Sequence, residues 1–66
     1  MLEIINMQQG PIPIIVRSKR KLRSFTTLTI PGRGKGFNRV VIEDEAVTEY
    51  IKMVEKFGLI STRVIN

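Results

Sequence analysis

The sequence predicts an α+β fold, a small antiparallel sheet or open β-barrel of about five strands with one helix near residues 44–57. Three observations point there. Short β-branched runs recur between turn-forming residues, one stretch alone carries helical spacing, and a chain of 66 residues has room for a single domain spanning 1–66.

The elements follow in order. "LEII", residues 2–5, is short and apolar and reads as an edge strand, or as part of an N-terminal arm over residues 1–9. "PIPIIVR" carries Pro11 and Pro13, which cannot donate to a strand ladder and belong at a strand start or an outer edge, so the strand proper runs over residues 12–17. "SKRKLR" is a polar, cationic turn, and "SFTTLTI", residues 24–30, is a threonine-rich strand with strong β preference. Pro31 and Gly32 end it, and Gly34 and Gly36 make residues 31–38 a flexible, glycine-rich hairpin tip before "RVVIE" resumes alternation with Val40 and Ile42 on one face.

The helix is read from "DEAVTEYIKMVEKFG". Asp44 serves as N-cap with Glu45 in the first turn, where carboxylates complement the helix dipole. Val47, Tyr50, Ile51, Val54 and Phe57 share one face, and Tyr50 and Met53 read as core. Gly58 takes the left-handed C′ position, and Leu59 packs back on Val54 in a Schellman arrangement. "LISTRVI", residues 59–65, is the last strand. A core this thin leaves strand edges wanting company, so residues 2–6 and 59–65 are expected to make contacts outside their own chain.

Composition narrows the chemistry. With no Cys and no His, the chain lacks the usual zinc ligands, the cysteine nucleophile and the commonest general base, so an enzyme is not expected and no cofactor is called for. Glu43, Asp44 and Glu45 form the one carboxylate cluster, but they span a strand end and a helix start and point in different directions. "MLEIINMQQG" has no basic leader and no long apolar run, which predicts neither a signal peptide nor a membrane span.

Charge is distributed unevenly. Arg17, Lys19, Arg20, Lys21, Arg23, Arg33, Lys35 and Arg39 put eight cations into residues 17–39 with no acid among them, whereas the stretch that follows is acidic. Together with Phe37 these eight are the candidate partner-binding residues, for a protein surface or for nucleic acid. The glycine-rich "PGRGKGFNR" has neither Walker A spacing nor a helix after it, and no βαβ unit surrounds it, so it is not a nucleotide loop. Single-strand binding draws on exposed aromatics, and Phe25 and Phe37 are the candidates.

The run "TLTIPGRGKGFNRVVIEDE" followed by "VTEYIKMVEKFGLI" gives strand, Pro-Gly turn, strand, acidic helix entry, helix, glycine and strand. Over residues 24–62 this order resembles small virion structural proteins of tailed bacteriophages and Mu-like prophages. The resemblance implies a non-enzymatic component of a capsid, connector or tail, such as a decoration or cement protein. It would be found in virions and host cytoplasm and be held in a homo- or hetero-oligomeric assembly by other protein subunits. The basic residues 17–23 fall outside the resembling pattern, and the alternative reading is a small nucleic-acid-binding or regulatory module that uses the cations of residues 17–39.

Overall fold

The computed structural model describes residues 1–18 and 24–65. Five strands and one helix make an α+β fold, with the strands divided between two antiparallel sheets rather than closed into a barrel. Strands β2 (Ile12–Arg17) and β3 (Phe25–Ile30) form a two-stranded ribbon in which Ile14 lies opposite Leu28 and Val16 opposite Thr26. Strand β1 (Leu2–Asn6) lies between β4 (Arg39–Ile42) and β5 (Ile60–Val64) in the second sheet.

The first strand is therefore not an arm or an edge. Ile4 faces Val40 on one side and Thr62 on the other, and β1 meets both its neighbours within its own chain. Alternation explains the placement: Ile4 and Asn6 turn one face of β1 fully inward. An isolated apolar run gives no clue to how many strands flank it, because its partners lie more than thirty residues further along the chain. Strand addition to β1 is excluded because both of its edges are taken by these two ladders; β5 keeps one edge without a strand neighbour among the described residues.

Nor do β3 and β4 form a hairpin. They belong to different sheets, and residues 31–38 cross from one to the other, with a 3-10 turn at Arg33–Lys35 in the middle. Both ends of the crossover are tied down: Arg33 N–H donates to Gln8 O at 3.0 Å, and Asn6 N–H donates to Asn38 O at 2.7 Å. Gly32 is buried so tightly that a Cβ there would lie 2.0 Å from the carbonyl oxygen of Gln9. Backbone approaches backbone at this point, and only glycine leaves the room.

The predicted helix over 44–57 is two pieces. Asp44–Ala46 is a 3-10 turn, Val47 and Thr48 are extended, and helix α1 covers Glu49–Lys56 with Thr48, not Asp44, at the N-cap. Thr48 has its own use for its hydroxyl, which donates to Ile15 O at 2.7 Å and thereby fastens the helix entry to the outer edge of β2. The Asp44 carboxylate instead lies 3.1 Å from the amino terminus, which the adjacent start of β1 brings within reach.

At the other end α1 stops as its sequence demands. Gly58 has φ +80, Gly58 N–H donates to Glu55 O and Leu59 N–H to Val54 O, the pair of bonds that defines a Schellman motif. The apolar stripe is narrower than its spacing implies. Ile51 and Val54 are buried, Tyr50 is half-buried with its hydroxyl on Pro13 O, and Met53 and Phe57 are exposed, Phe57 by 70% because the chain has already turned there.

The core lies between the two sheets and α1. Ile4, Ile12, Ile14, Ile30, Ile42, Ile51 and Ile60 dominate it, joined by Val16, Ala46 and Val54. Isoleucine suits both demands, since a β-branched side chain fits the pleated surface and its full burial contributes about 1.5–3 kcal/mol.

Candidate functional site

Three groupings of side chains stand out. The first is a polar clasp at the end of β1 that sets the angle between the sheets. Asn6 is fully buried, and its Nδ2 donates to the carbonyls of Ile30 at 3.0 Å, Gly10 at 3.0 Å and Pro31 at 3.1 Å, while its Oδ1 accepts from Gln8 N–H at 2.7 Å. Asn38 completes the exchange by donating its Nδ2 to Asn6 O at 2.9 Å. One amide side chain thus joins the end of β1, the loop after it and the end of β3.

From that closed end the two sheets splay apart. Along the inner face of β3, Ile30 is buried, Leu28 half-buried and Thr26 exposed. The result is an open groove of about 450 Å³ between β3 and β4, floored by Val16, Leu28, Val40, Ile42 and Ala46. Its volume is within the usual range for ligand pockets, but the lining is apolar, with Arg17 and Glu43 as its charged residues.

The second grouping is on the outer face of the three-stranded sheet. Glu3 is 6% exposed although it points away from the core, because Arg39 of β4 and Arg63 of β5 lie on either side of it. Arg39 Nη1 is 3.6 Å from Glu3 Oε2, and Arg63 Nη2 is 3.0 Å from Glu3 Oε1 without the alignment of a hydrogen bond. Two guanidinium groups share one carboxylate, so the trio keeps a net positive charge. Ile5, Met7 and Val41 leave apolar surface on the same side, with Met7 and Val41 exposed.

The third grouping is on the ribbon, where the Arg17 guanidinium carbon is 5.4 Å from the centre of the Phe25 ring, within cation–π range. Thr48, Glu49 and Tyr50 from the start of α1 border the same shallow depression.

Among the described residues, the candidates are not gathered into one tract. Arg17 belongs to the ribbon, Arg39 to the other sheet, and Arg33 and Lys35 to the crossover turn, where Arg33 is exposed. Phe37, just beyond that turn, is 83% exposed. Lys19, Arg20, Lys21 and Arg23 lie outside the described residues. Sequence reading missed Asn6 and Glu3. The trace of Glu3 in the sequence is a lone acid inside an apolar run, and its partners Arg39 and Arg63 are apparent only once the register sets Glu3 beside Val41 and Arg63.

Comparison of the chain with protein-family models, curated proteins and solved structures finds no match. No helix among the described residues is long and apolar enough to cross a membrane.

Proposed function

We propose that this chain is a non-enzymatic assembly protein, held by protein–protein contacts, and that it serves as a small bacteriophage virion component, in a capsid decoration or cement role or as a minor head–tail protein. The observation that carries the assembly part is the outer face of the three-stranded sheet. There Met7 and Val41 stay exposed beside two arginines that share one carboxylate, and arginine and methionine with apolar neighbours are what the cores of protein interfaces favour. The virion part rests on the resemblance carried by residues 24–62, although the strands on either side of Pro31 and Gly32 belong to different sheets.

A nucleic-acid role has one observation in its favour, the exposed Phe37 that follows Arg33 on the crossover. Against it, Arg39 is engaged with Glu3, and the Arg17 guanidinium lies over the Phe25 ring.

Two measurements decide between these. The tagged chain is expected in the particle fraction of a culture of its source cell induced to make phage, and Val41→Thr, which removes apolar surface without setting a second carboxylate opposite Glu3, is expected to lower its recovery there while the purified variant keeps its melting temperature within a few degrees. Fluorescence anisotropy with DNA and RNA oligonucleotides is expected to show weak binding that Phe37→Ala leaves unchanged. Tight binding whose logarithm falls with log salt by about 0.9 per phosphate contacted, and which Arg33→Ala and Phe37→Ala abolish, would establish the nucleic-acid role instead.

A further inference from the structure

The outer face of the three-stranded sheet exposes charge of one sign. The register puts Val41, Glu3 and Arg63 in one row across β4, β1 and β5, and Arg39, Ile5 and Ser61 in the next. Of these six residues the acid is only 6% exposed, whereas the side chains of Arg39 and Arg63 are 56% and 68% exposed. Glu43 lies past the end of β4 and borders the groove. What this patch offers to a visitor is therefore positive.

Glu3 neutralises one of its two arginines and restrains both. Arg39 Nη1, at 3.6 Å from Oε2, is beyond hydrogen-bond reach, and Oε1 accepts no hydrogen bond from Arg63, so charge holds the trio while N–H donors stay available. A guanidinium carries five donors in a fixed fork that matches a carboxylate. Because both side chains are already held over Glu3, less rotamer freedom is lost when a further carboxylate arrives. Ile5 and Val41 take the other diagonal of the patch, and Met7 is exposed beyond Ile5. Such neighbours keep water away from an ion pair formed among them, which strengthens it.

The same features choose between occupants. A phosphate backbone favours surfaces dense in cations, and here a carboxylate separates the two arginines and apolar side chains fill the space between. A second copy laid face to face would set arginine against arginine. An acid carried on an apolar protein surface matches both the charge and the neighbours. We propose that this face docks an acidic segment of a partner protein, with aspartate or glutamate side chains set among apolar ones, and that Arg39 and Arg63 receive the carboxylates. This names the partner's chemistry for the assembly reading and rests on it.

Nuclear magnetic resonance on the labelled full chain tests the assignment, read at the side-chain Nε–Hε signals of Arg39 and Arg63. The probes are a short blocked peptide alternating leucine and glutamate, its glutamine counterpart, and oligothymidylate. The glutamate peptide is expected to shift both arginine signals with half-saturation at about 1 mM and to lose affinity as salt is raised, and the glutamine peptide to leave them in place. Arg39→Gln and Arg63→Gln each leave Glu3 with one arginine, and each is expected to weaken the glutamate peptide by about tenfold with a melt that shows a folded chain. Arg39→Lys, which keeps the charge and loses the fork, is expected to fall between. The comparison of the two peptides on the wild-type chain needs no variant.

Equal shifts from both peptides, or none up to about 10 mM, overturn the proposal. Stronger shifts from oligothymidylate at these two arginines assign the face to nucleic acid, and shifts that follow dilution of the chain alone assign it to a second copy; either overturns it as well. Failure of the assembly reading looks different. A chain recovered in the particle fraction as well with Arg39→Gln and Arg63→Gln as without sinks the docking face alone, whereas a chain that binds the glutamate peptide as expected and is absent from particles sinks the assembly role and leaves the face.

Discussion

Replacing Asn6 with leucine removes the clasp while nearly preserving volume. The amide side chain serves three carbonyls and one N–H, and of these the bond to Ile30 O is fully buried while those to Gly10 O, Pro31 O and Gln8 N are partly buried. A buried acceptor left without a partner costs about 1–3 kcal/mol, whereas partly buried groups recover water and lose about 0.5–1.5 kcal/mol each. Counting the Ile30 carbonyl and two of the remaining bonds gives a loss of about 2–6 kcal/mol. Domains of this size have about 5 kcal/mol to lose, so Asn6→Leu is expected to leave the chain largely unfolded at 25 °C. Asn6→Asp separates the polar from the steric contribution. It turns the donating amide into a carboxylate facing three carbonyls, which raises the folded-state pKa of the introduced group above its unfolded value. Such a group takes up a proton on folding, so the deficit relative to wild type is expected to shrink as pH falls from 7 to 4. Circular-dichroism melts of wild type, Asn6→Leu and Asn6→Asp at both pH values provide the assay. A melt of Asn6→Leu within a few degrees of wild type would refute the clasp.

Four further outcomes are expected from the same kind of melt. Gly58→Val forces a β-branched residue to φ +80 and is expected to cost about 1–2 kcal/mol; coincident melts would mean the Schellman turn does not hold the helix end. Gly32→Ala has an acceptable φ of −73 but drives a methyl group against the Gln9 carbonyl, and is expected to cost about 1–3 kcal/mol through displaced backbone. Glu3→Gln leaves Arg39 and Arg63 without their shared carboxylate, with an expected loss of about 1–2 kcal/mol that narrows in 1 M salt; a loss independent of salt would point to packing rather than charge. Deleting residues 1–6 removes the central strand together with both of its ladders, and is expected to abolish the cooperative transition altogether.

What could be read from the sequence was local. The two prolines before β2, the glycine after α1 and the β-branched runs each carry their meaning within a few residues, and strands β2, β3 and β5 and the Schellman turn lie where those signals put them. The entry to α1 was misplaced because Asp44 and Glu45 are good capping chemistry in isolation, while the contact that decides the matter, Thr48 on Ile15, spans 33 residues. Pairing of β1 with β4 and β5, and with it the central position of β1, depends on register between distant segments that no short pattern encodes. The candidate site suffered from the same blindness. A run of cations can be counted along a chain, but Arg39 turns out to face Glu3 and Arg17 to cover Phe25, and those pairings set what each charge has left to offer.

The central position of β1 also dictates an order of events during synthesis. Leu2–Asn6 is translated first, yet one neighbour, β4, begins at Arg39 and the other, β5, only at Ile60. The β2–β3 ribbon can close as soon as its turn is made, but the strand that emerged before it must wait more than thirty residues for its first partner, β4, and more than fifty for its second, β5. Assembly of the three-stranded sheet is therefore confined to the moment after β5 leaves the ribosome. Until then the nascent chain presents Leu-Glu-Ile-Ile to whatever binds exposed hydrophobic strands in the cell, so its yield on expression should depend on chaperone supply more than its small size suggests.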